Sequence, residues 1–156
     1  MKYFEDFQVG ESLDCGSKTF HKDEMVAFAR QFDPQPFHVD EEKAKRSVFG
    51  GLIASGWYTC SECMRLIVDS IVNQTASMGS PGVDSLRWLK PVRPGDNLRL
   101  RATVIEAEAS KSRPDRGRLT FTYELSGADG DPVMTMRAVA ILGRRPAAAA
   151  ERLKAV

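Results

Sequence analysis

The sequence predicts an α+β domain in which one antiparallel sheet wraps around a single long central helix. Two patterns support this fold class. Apolar residues recur at helical spacing from Ile53 to about Gln74, whereas apolar and polar residues alternate, as in strands, through most of the chain after Ser80. At 156 residues the chain is the length of one typical domain. We therefore predict a single domain over residues 1–143 and a C-terminal tail over residues 144–156.

The N-terminal third is predicted to contain one strand and two helices. Residues 12–20 have the composition of a strand. Residues 23–32 carry apolar side chains at helical spacing, and Pro34 prevents this helix from continuing. A second, short helix is predicted over residues 41–46, because Asp40 is a good N-cap residue.

The long central helix is predicted to follow a flexible break at residues 49–51. Its apolar pattern predicts a length on the order of 30 Å at ~1.5 Å per residue. Glu62, Arg65 and Asp69 interrupt the pattern with charge. We therefore expect a globular helix with one solvent-exposed edge, and not a membrane span.

The second half of the chain is predicted to form four strands. A proline-rich turn, a polar loop and a hairpin turn separate them. In the longer strands apolar residues alternate with polar ones, as expected where one face of a sheet packs on a core and the other faces water. The predicted strands cover residues 83–89, 97–109, 119–125 and 133–142.

Charge and composition argue against several classes of partner. The chain has 22 Lys and Arg residues and 21 Asp and Glu residues, so its charge offers no reason to expect a nucleic-acid partner or an acidic membrane. The N-terminus lacks the apolar run of a secretory signal, and no stretch approaches ~18 uncharged apolar residues. We expect a soluble, cytoplasmic protein that contacts neither nucleic acid nor a membrane.

The cysteines and histidines predict neither a disulfide framework nor a metal site. Three cysteines are an odd and small number, which is typical of a reducing compartment. Cys60 and Cys63 form a C-x-x-C pair, but they lie inside the helical pattern and not at a helix N-terminus, where a thiolate would be stabilised. We predict that they are thiols of the core or of the helix surface. Neither His21 nor His38 lies at zinc-ligand spacing from a cysteine pair.

The segment from Asp33 to His38 is the strongest candidate for a catalytic site. Pro34 and Pro36 fix φ at two of its positions and favour extended conformations at the residues before them, so the segment is stiff. It holds a carboxylate, an amide and an imidazole at fixed separation, as proton transfer requires. Imidazole also exchanges a proton near neutral pH in ordinary surroundings. The alternative interpretation is that Asp33 closes a turn and His38 is a half-buried surface residue.

A candidate oxyanion site follows this segment in the sequence. The backbone N–H groups from Gly50 to about Gly56 are predicted to lie at the entry to the long helix. At such an entry the N–H groups lack intrahelical partners and carry the positive end of the helix dipole. They can therefore stabilise negative charge that develops on an oxygen atom.

Two motifs resemble the signature of the MaoC-like dehydratases, which are relatives of the (R)-specific enoyl-CoA hydratases. The family pattern is roughly D-x-N-P-x-H, a short helix, and then F-G-x-x-I-A-H-G. In this chain FDPQPFHVD covers residues 32–40, FGGLIASG covers residues 49–56, and PVRPGD at residues 91–96 also fits. The resemblance implies a hotdog fold, a homodimer or higher homo-oligomer, and reversible addition of water at the 2,3 double bond of an enoyl-CoA or similar acyl thioester. It implies no metal or redox cofactor, and coenzyme A enters only as part of the substrate.

The resemblance also implies roles for single residues. Asp33 and His38 match the catalytic pair that activates a water molecule, and Gly56 matches the glycine whose backbone N–H polarises the thioester carbonyl. Gln35 stands where the family has Asn, and Ser55 stands where it has His. These departures leave the acid/base pair intact and bear on the identity of the substrate. Four residues are expected to contact substrate: Gln35, Ser55, Gly51 and Trp57.

Other interpretations stay open at this point. A thioesterase of the same fold would use Glu62 on the long helix as its general base, and a third alternative is a protein that binds an acyl thioester without turnover. Trp57 and Trp88 either line an acyl tunnel or belong to the core. Seven basic residues either contact the phosphates of coenzyme A or form the solvent face of strands: Arg87, Lys90, Arg93, Arg99, Arg101, Arg144 and Arg145.

Overall fold

Five antiparallel strands form a single sheet in the computed structural model, which describes residues 1–146. The strands are β1 (Ser12–Thr19), β2 (Gly82–Trp88), β3 (Asn97–Ala109), β4 (Arg116–Ser126) and β5 (Pro132–Gly143). Their order across the sheet is β1-β3-β4-β5-β2. The helices are α1 (Lys22–Phe32), α2 (Pro36–Val39), α3 (Glu41–Lys45) and α4 (Gly56–Ser70), with short 3-10 helices at Phe4–Asp6 and Val72–Gln74. The predicted α+β class is therefore confirmed.

The sheet wraps around α4 and packs its inner face on this helix. Alternate residues of β3 and β4 are buried, among them Leu100, Leu119 and Phe121. They belong to the same core cluster as Cys63 and Ile67 of α4. Burial of a large apolar side chain contributes roughly 1.5–3 kcal/mol. This core therefore fixes the position of α4 against the strands.

Helix α4 is shorter than predicted. It begins at Gly56 and not near Ile53, and its 15 residues give a length of about 22 Å. Ile53 and Ala54 are buried, but their backbone N–H groups donate to the carbonyls of Phe37 and Val92 at 3.2 and 2.8 Å. Apolar periodicity alone does not separate such a buried extended segment from a first helical turn. Within residues 1–146, no helix is long and apolar enough to cross a membrane.

The segment between α1 and α3 contains a helical turn that the sequence analysis did not predict. Pro36 opens α2 at a position where its missing N–H needs no partner. Gln35, just before it, is extended at φ −71° and ψ 143°, as the following proline favours. The turn directs His38 toward the start of α4, where its Nδ1 lies 2.9 Å from the Ile53 carbonyl oxygen.

The first residues of the predicted tail contact the N-terminal 3-10 helix. Arg144 pairs with Glu5 at 2.8 Å, and Arg145 pairs with Asp6 at 2.6 Å. The remainder of the predicted tail, residues 147–156, lies outside the described residues. The domain boundary at residue 143 stays a prediction.

Candidate active site

A pocket of about 470 Å³ lies where α2, the start of α4 and the end of β2 meet. The chemistry-bearing residues Asp33, His38 and Gly56 all line it. Most of the remaining lining is apolar and includes Phe37, Phe49, Ile53, Trp57 and Trp88. Concave, mostly apolar pockets with a few convergent polar groups are typical of small-molecule sites.

Asp33 and His38 face each other in this pocket. Asp33 follows α1 as its C-cap residue, and His38 lies in the single turn of α2. The Asp33 Oδ2 atom lies 3.3 Å from His38 Nε2. The His38 side chain is 6% exposed and the Asp33 side chain is 18% exposed. The stiff segment thus presents the carboxylate to the pocket and holds the imidazole almost fully buried.

The environment of the His38 ring determines which nitrogen carries a proton. Nδ1 lies 2.9 Å from the carbonyl oxygen of Ile53. A carbonyl oxygen accepts hydrogen bonds and cannot donate them, so Nδ1 is the N–H donor in this contact. Nε2 is therefore the atom that gains and loses a proton. Its contact with Asp33 Oδ2 is a hydrogen bond when one proton lies between the two atoms.

Two further hydrogen bonds hold the Asp33 carboxylate. The Ser55 hydroxyl donates to Oδ2 at 2.7 Å, and the Gln35 side-chain amide donates to Oδ1 at 2.8 Å. Burial alone would raise the pKa of Asp33, but these two donors and the charge of His38 outweigh it and lower the pKa. Asp33 is therefore an ionised carboxylate at neutral pH. Ser55 holds its Oδ2 atom and Gln35 holds its Oδ1 atom.

Gly56 places a backbone donor at the same pocket. It is the first residue of α4, and its N–H has no hydrogen-bond partner among residues 1–146. The N–H of the next residue, Trp57, is capped by the Ser55 hydroxyl at 3.2 Å. A helix N-terminus with an unbonded N–H is a suitable place for a developing oxyanion. The fold therefore places a carboxylate, an imidazole and an unbonded N–H at the start of α4 around one cavity.

A side chain larger than hydrogen at position 56 would force the Trp88 ring to shift. The Trp88 ring lies directly on Gly56, and a Cβ built there would overlap the indole. The Trp88 Nε1–H also donates to the Gly56 carbonyl at 3.1 Å. Glycine is needed here because of this close approach, which the sequence motif alone did not explain.

The four residues expected to contact substrate have different positions. Gln35 and Trp57 line the pocket, and the Trp57 side chain is 58% exposed, so it does not belong to the core. Ser55 is fully buried behind Asp33 and contacts its carboxylate. Gly51 is not among the pocket-lining residues and lies beside the Arg93 guanidinium. The geometry thus brings two of the four to the cavity itself.

Sequence reasoning missed part of the pocket wall. Leu89, Pro91 and Val92, which follow β2, line the pocket, as does Thr59 of α4. The PVRPGD motif contains part of this stretch, and Thr59 lies three residues after Gly56, on the same side of a helix. Motif position and helical spacing were therefore signals that could have identified both.

One of the seven basic residues considered for phosphate binding lines the pocket. This residue is Lys90, and its ammonium pairs with Asp131 at 2.6 Å. Arg93, near the rim, donates to the Phe49 carbonyl at 2.6 Å. Arg99 pairs with Asp14 on the outer side of the sheet edge. Most of these cations thus have structural partners within the chain.

The other reactive side chains of α4, Glu62 and the thiols of the C-x-x-C pair, do not line the pocket. Glu62 contacts Lys18 at 3.7 Å and does not line the cavity. Cys63 is fully buried, and burial raises the pKa of its thiol to about 12. Cys60 and Cys63 are helix thiols within the packed region, in agreement with the prediction. Residues 1–146 contain no group of three or more His, Cys, Asp or Glu residues arranged to hold a metal ion.

Comparison with known sequences identifies relatives over most of the chain. The model of the family described as MaoC like domain matches residues 6–123. The uncharacterized protein YdeM of Bacillus subtilis is 32% identical over 117 residues, which is 74% of this chain and 81% of the relative. The (R)-specific enoyl-CoA hydratase of Rhodospirillum rubrum is 29% identical over 109 residues, which is 67% of this chain and 70% of that enzyme.

Comparison with solved structures identifies the fold. A MaoC-like dehydratase from Rhodospirillum rubrum superposes with a TM-score of 0.88 and 40% identity, covering 94% of this chain and 99% of that one. A Mycobacterium tuberculosis protein with a double hotdog fold superposes with a TM-score of 0.79 and 16% identity, covering 94% of this chain and 45% of that one. The sheet wrapped around α4 is therefore a hotdog fold, as predicted.

Proposed function

The chain belongs to the MaoC-like dehydratase family, and on that premise we propose that it is a hydro-lyase, an enoyl-CoA hydratase or acyl dehydratase, that adds or removes water at the 2,3 double bond of an acyl thioester. One observation carries the proposal. The Asp33 carboxylate and the His38 imidazole lie 3.3 Å apart in a pocket that Gly56 also lines. The related (R)-specific enoyl-CoA hydratase supports enoyl-CoA as the substrate class.

The Asp33–His38 pair would move both protons of the reaction. In the hydration direction it accepts one proton from water and delivers one proton to C2 of the enoyl group. The water oxygen forms the new bond to C3, and the π electrons of the C2–C3 double bond take up the proton at C2. The pair therefore holds the same number of protons, one between Oδ2 and Nε2, before and after the reaction. Dehydration is the same path in reverse, and no metal or redox cofactor takes part.

The Gly56 N–H would stabilise the charge that this path creates. Attack at C3 moves electron density through C2 to the thioester oxygen, which becomes enolate-like. The N–H lies at the positive end of α4 and has no partner among the described residues. A fixed donor aimed at such an oxygen is worth more in the transition state than in the ground state. We therefore propose that the thioester carbonyl binds at the start of α4.

We also propose a homodimer or higher homo-oligomer. Strand β2 lies at one edge of the sheet, and all of its residues except Leu86 are exposed. Val83, Trp88 and the adjoining Leu89 are about half exposed, at 54%, 46% and 51%. An apolar sheet edge of this kind is a favourable surface for pairing with another chain. Light scattering of the purified protein at several concentrations measures the assembly.

The geometry does not favour a thioesterase based on Glu62. Its carboxylate is engaged with Lys18 and lies outside the pocket that holds the acid/base pair. Hydrolysis of an acyl-CoA would release a free thiol, whereas hydration of an enoyl-CoA releases none. A thiol-reactive dye added to the reaction therefore separates the two activities directly.

The experiment follows the absorbance of the enoyl thioester with crotonyl-CoA and with longer and branched enoyl-CoAs. We expect wild-type protein to consume at least one of them and Asp33→Asn and His38→Ala each to lose about 100-fold or more in kcat, as general acid/base groups usually do. Full activity in both variants would refute the proposal. Tight binding of acyl-CoA without turnover of any enoyl substrate would identify a binding protein instead.

Two matched control variants are available in α1 and just before it. His21→Gln replaces an exposed histidine outside the pocket, and Asp23→Asn replaces an exposed carboxylate in the first turn of α1. Both should retain wild-type turnover. Circular dichroism of all four variants checks that each is folded.

A further inference from the structure

We propose that Ser55 is a positioning residue, whose hydroxyl holds Asp33 in the orientation and charge state that proton transfer with His38 requires. The family resemblance implies that Ser55 contacts substrate. The structure instead places its hydroxyl 2.7 Å from Asp33 Oδ2 and leaves its side chain fully buried. The kinetic part of this inference rests on the proposed hydro-lyase function, whereas its effect on the Asp33 carboxylate does not.

The hydrogen of the Ser55 hydroxyl has a defined direction. The Ser55 Oγ atom accepts the N–H of Trp57 at 3.2 Å and so caps α4. A hydroxyl has one hydrogen to donate, and with the Trp57 N–H occupying a lone pair, that hydrogen points to Asp33. A single side chain therefore connects the start of α4 with the end of α1, over 22 residues of sequence.

The oxygen that Ser55 contacts is the one that faces His38. Oδ2 accepts the Ser55 hydroxyl and lies 3.3 Å from His38 Nε2. Oδ1, on the other side of the carboxylate, accepts the Gln35 amide. Because donors hold both oxygens, the carboxylate plane is fixed relative to the imidazole. Without the Ser55 bond, Oδ2 would be free to rotate away from Nε2.

Burial makes the Ser55 bond harder to replace than the Gln35 bond. Ser55 is 0% exposed, whereas Gln35 is an exposed residue, where water can take the place of a lost amide. A hydrogen bond to a charged group contributes more in a low-dielectric setting, and its loss leaves the acceptor unsatisfied. Burial already opposes ionisation of Asp33, and the Ser55 donor offsets part of that effect. The other titratable groups that line the pocket are His38 of α2 and Lys90 after β2.

The test compares three substitutions at position 55. Ser55→Ala removes both the donor and the helix cap, whereas Ser55→Gly removes the donor and leaves a residue that is nearly as good an N-cap as serine. Ser55→Thr keeps the hydroxyl for both roles. Ser61→Ala is the matched control, because Ser61 lies on the exposed side of α4 and donates to the Trp57 carbonyl. Carbon-13 NMR of the side-chain carboxyls, with Asp33 assigned through Asp33→Asn, measures the ionisation of Asp33 directly.

We expect Ser55→Ala and Ser55→Gly to raise the midpoint of the Asp33 titration by about one pH unit. With an active enoyl-CoA substrate, kcat should fall roughly 10- to 100-fold with a smaller change in KM, and the acidic limb of the kcat/KM profile should move to higher pH. Ser55→Thr should recover most of both effects, and Ser61→Ala should show neither.

The NMR titration separates this inference from the proposed function. An Asp33 titration that is unchanged in Ser55→Ala and Ser55→Gly would overturn the positioning role, whatever the activity. A shifted titration in a protein that hydrates no enoyl-CoA would support the positioning role and count against the proposed function alone. Equal loss of thermal stability and activity in Ser55→Ala, with no loss of either in Ser55→Gly, would assign Ser55 to helix capping only and would also overturn it.

Discussion

The indole of Trp88 packs on the backbone of Gly56, so that the last residue of β2 closes over the first residue of α4. Its Nε1–H donates to the Gly56 carbonyl at 3.1 Å, and the ring occupies the space where a Cβ would lie. Trp57 meets the same indole edge to face, with ring centroids 5.4 Å apart. The proposed oxyanion donor is therefore held in place by an aromatic side chain from the edge of the sheet.

The first prediction concerns this contact. Gly56→Ala should destabilise the protein by about 1–3 kcal/mol, because the new methyl group overlaps a ring that cannot move without breaking its hydrogen bond. The double variant Gly56→Ala/Trp88→Leu removes the overlap and should recover part of that stability. Urea unfolding measures both. Gly127→Ala, outside the pocket, serves as a control, since the contact it creates is with the side chain of Asp129. Additive effects of the two substitutions would contradict the predicted coupling.

The second prediction concerns the size of the acyl group. Trp88 and Trp57 both line the pocket. Trp88→Leu should enlarge the cavity. The ratio of kcat/KM for longer enoyl-CoAs to kcat/KM for crotonyl-CoA should therefore rise by about tenfold, which is the effect expected of a few extra methylene contacts. A screen over chain length measures this ratio. An unchanged ratio in a folded variant would show that the acyl chain does not reach Trp88.

Most of the fold could be predicted from the sequence because its signals are local. Alternation in β3 and β4 and the helical spacing in α4 each arise from one face packing on a common core. The start of α4 could not be placed correctly, because Ile53 and Ala54 are buried like helix residues but bond to other segments. The single turn of α2 was missed for a related reason, since four residues are too few to show a period.

The site shows the same division between local and long-range information. Asp33 and His38 lie within one stiff segment, so their pairing could be predicted from the prolines and from the motif. The bond from Ser55 to Asp33 spans 22 residues, and the indole of Trp88 lies 32 residues from Gly56. Composition and spacing do not predict either contact. Both depend on how the edge strand β2 and the end of α1 pack against the start of α4.

The third prediction follows from the lowered pKa of Asp33. The pKa of this carboxyl is lower in the folded protein than the ordinary value of about 3.9 that it has in the unfolded chain. Its ionisation therefore favours folding at pH values above the unfolded-state pKa, and this contribution is lost as the pH falls through the lower folded-state pKa. Asp33→Asn cannot titrate, so the stability of wild type relative to this variant should decrease on acidification. Urea unfolding at a series of pH values measures the difference.

A pH-independent difference between wild type and Asp33→Asn would contradict this prediction. Asp23→Asn is the matched control, because Asp23 is an exposed residue of α1 that does not line the pocket. The same series on Asp23→Asn shows how much of the pH dependence comes from the loss of any one carboxylate of this region.

The fourth prediction concerns the C-x-x-C pair of α4. Burial raises the pKa of the Cys63 thiol to about 12, and burial also raises the pKa of Cys60 and of Cys15. Because the thiolate is the reactive form, native protein near pH 8 should be alkylated slowly at all three. Cys63 should be the slowest, since it is fully buried, whereas Cys60 is half-buried. Peptide mass spectrometry measures labelling before and after unfolding in urea, where all three should react. Rapid native labelling of Cys63 would contradict its burial in the packed helix, and a Cys60–Cys63 disulfide formed by mild oxidation would show that the pair is redox-active.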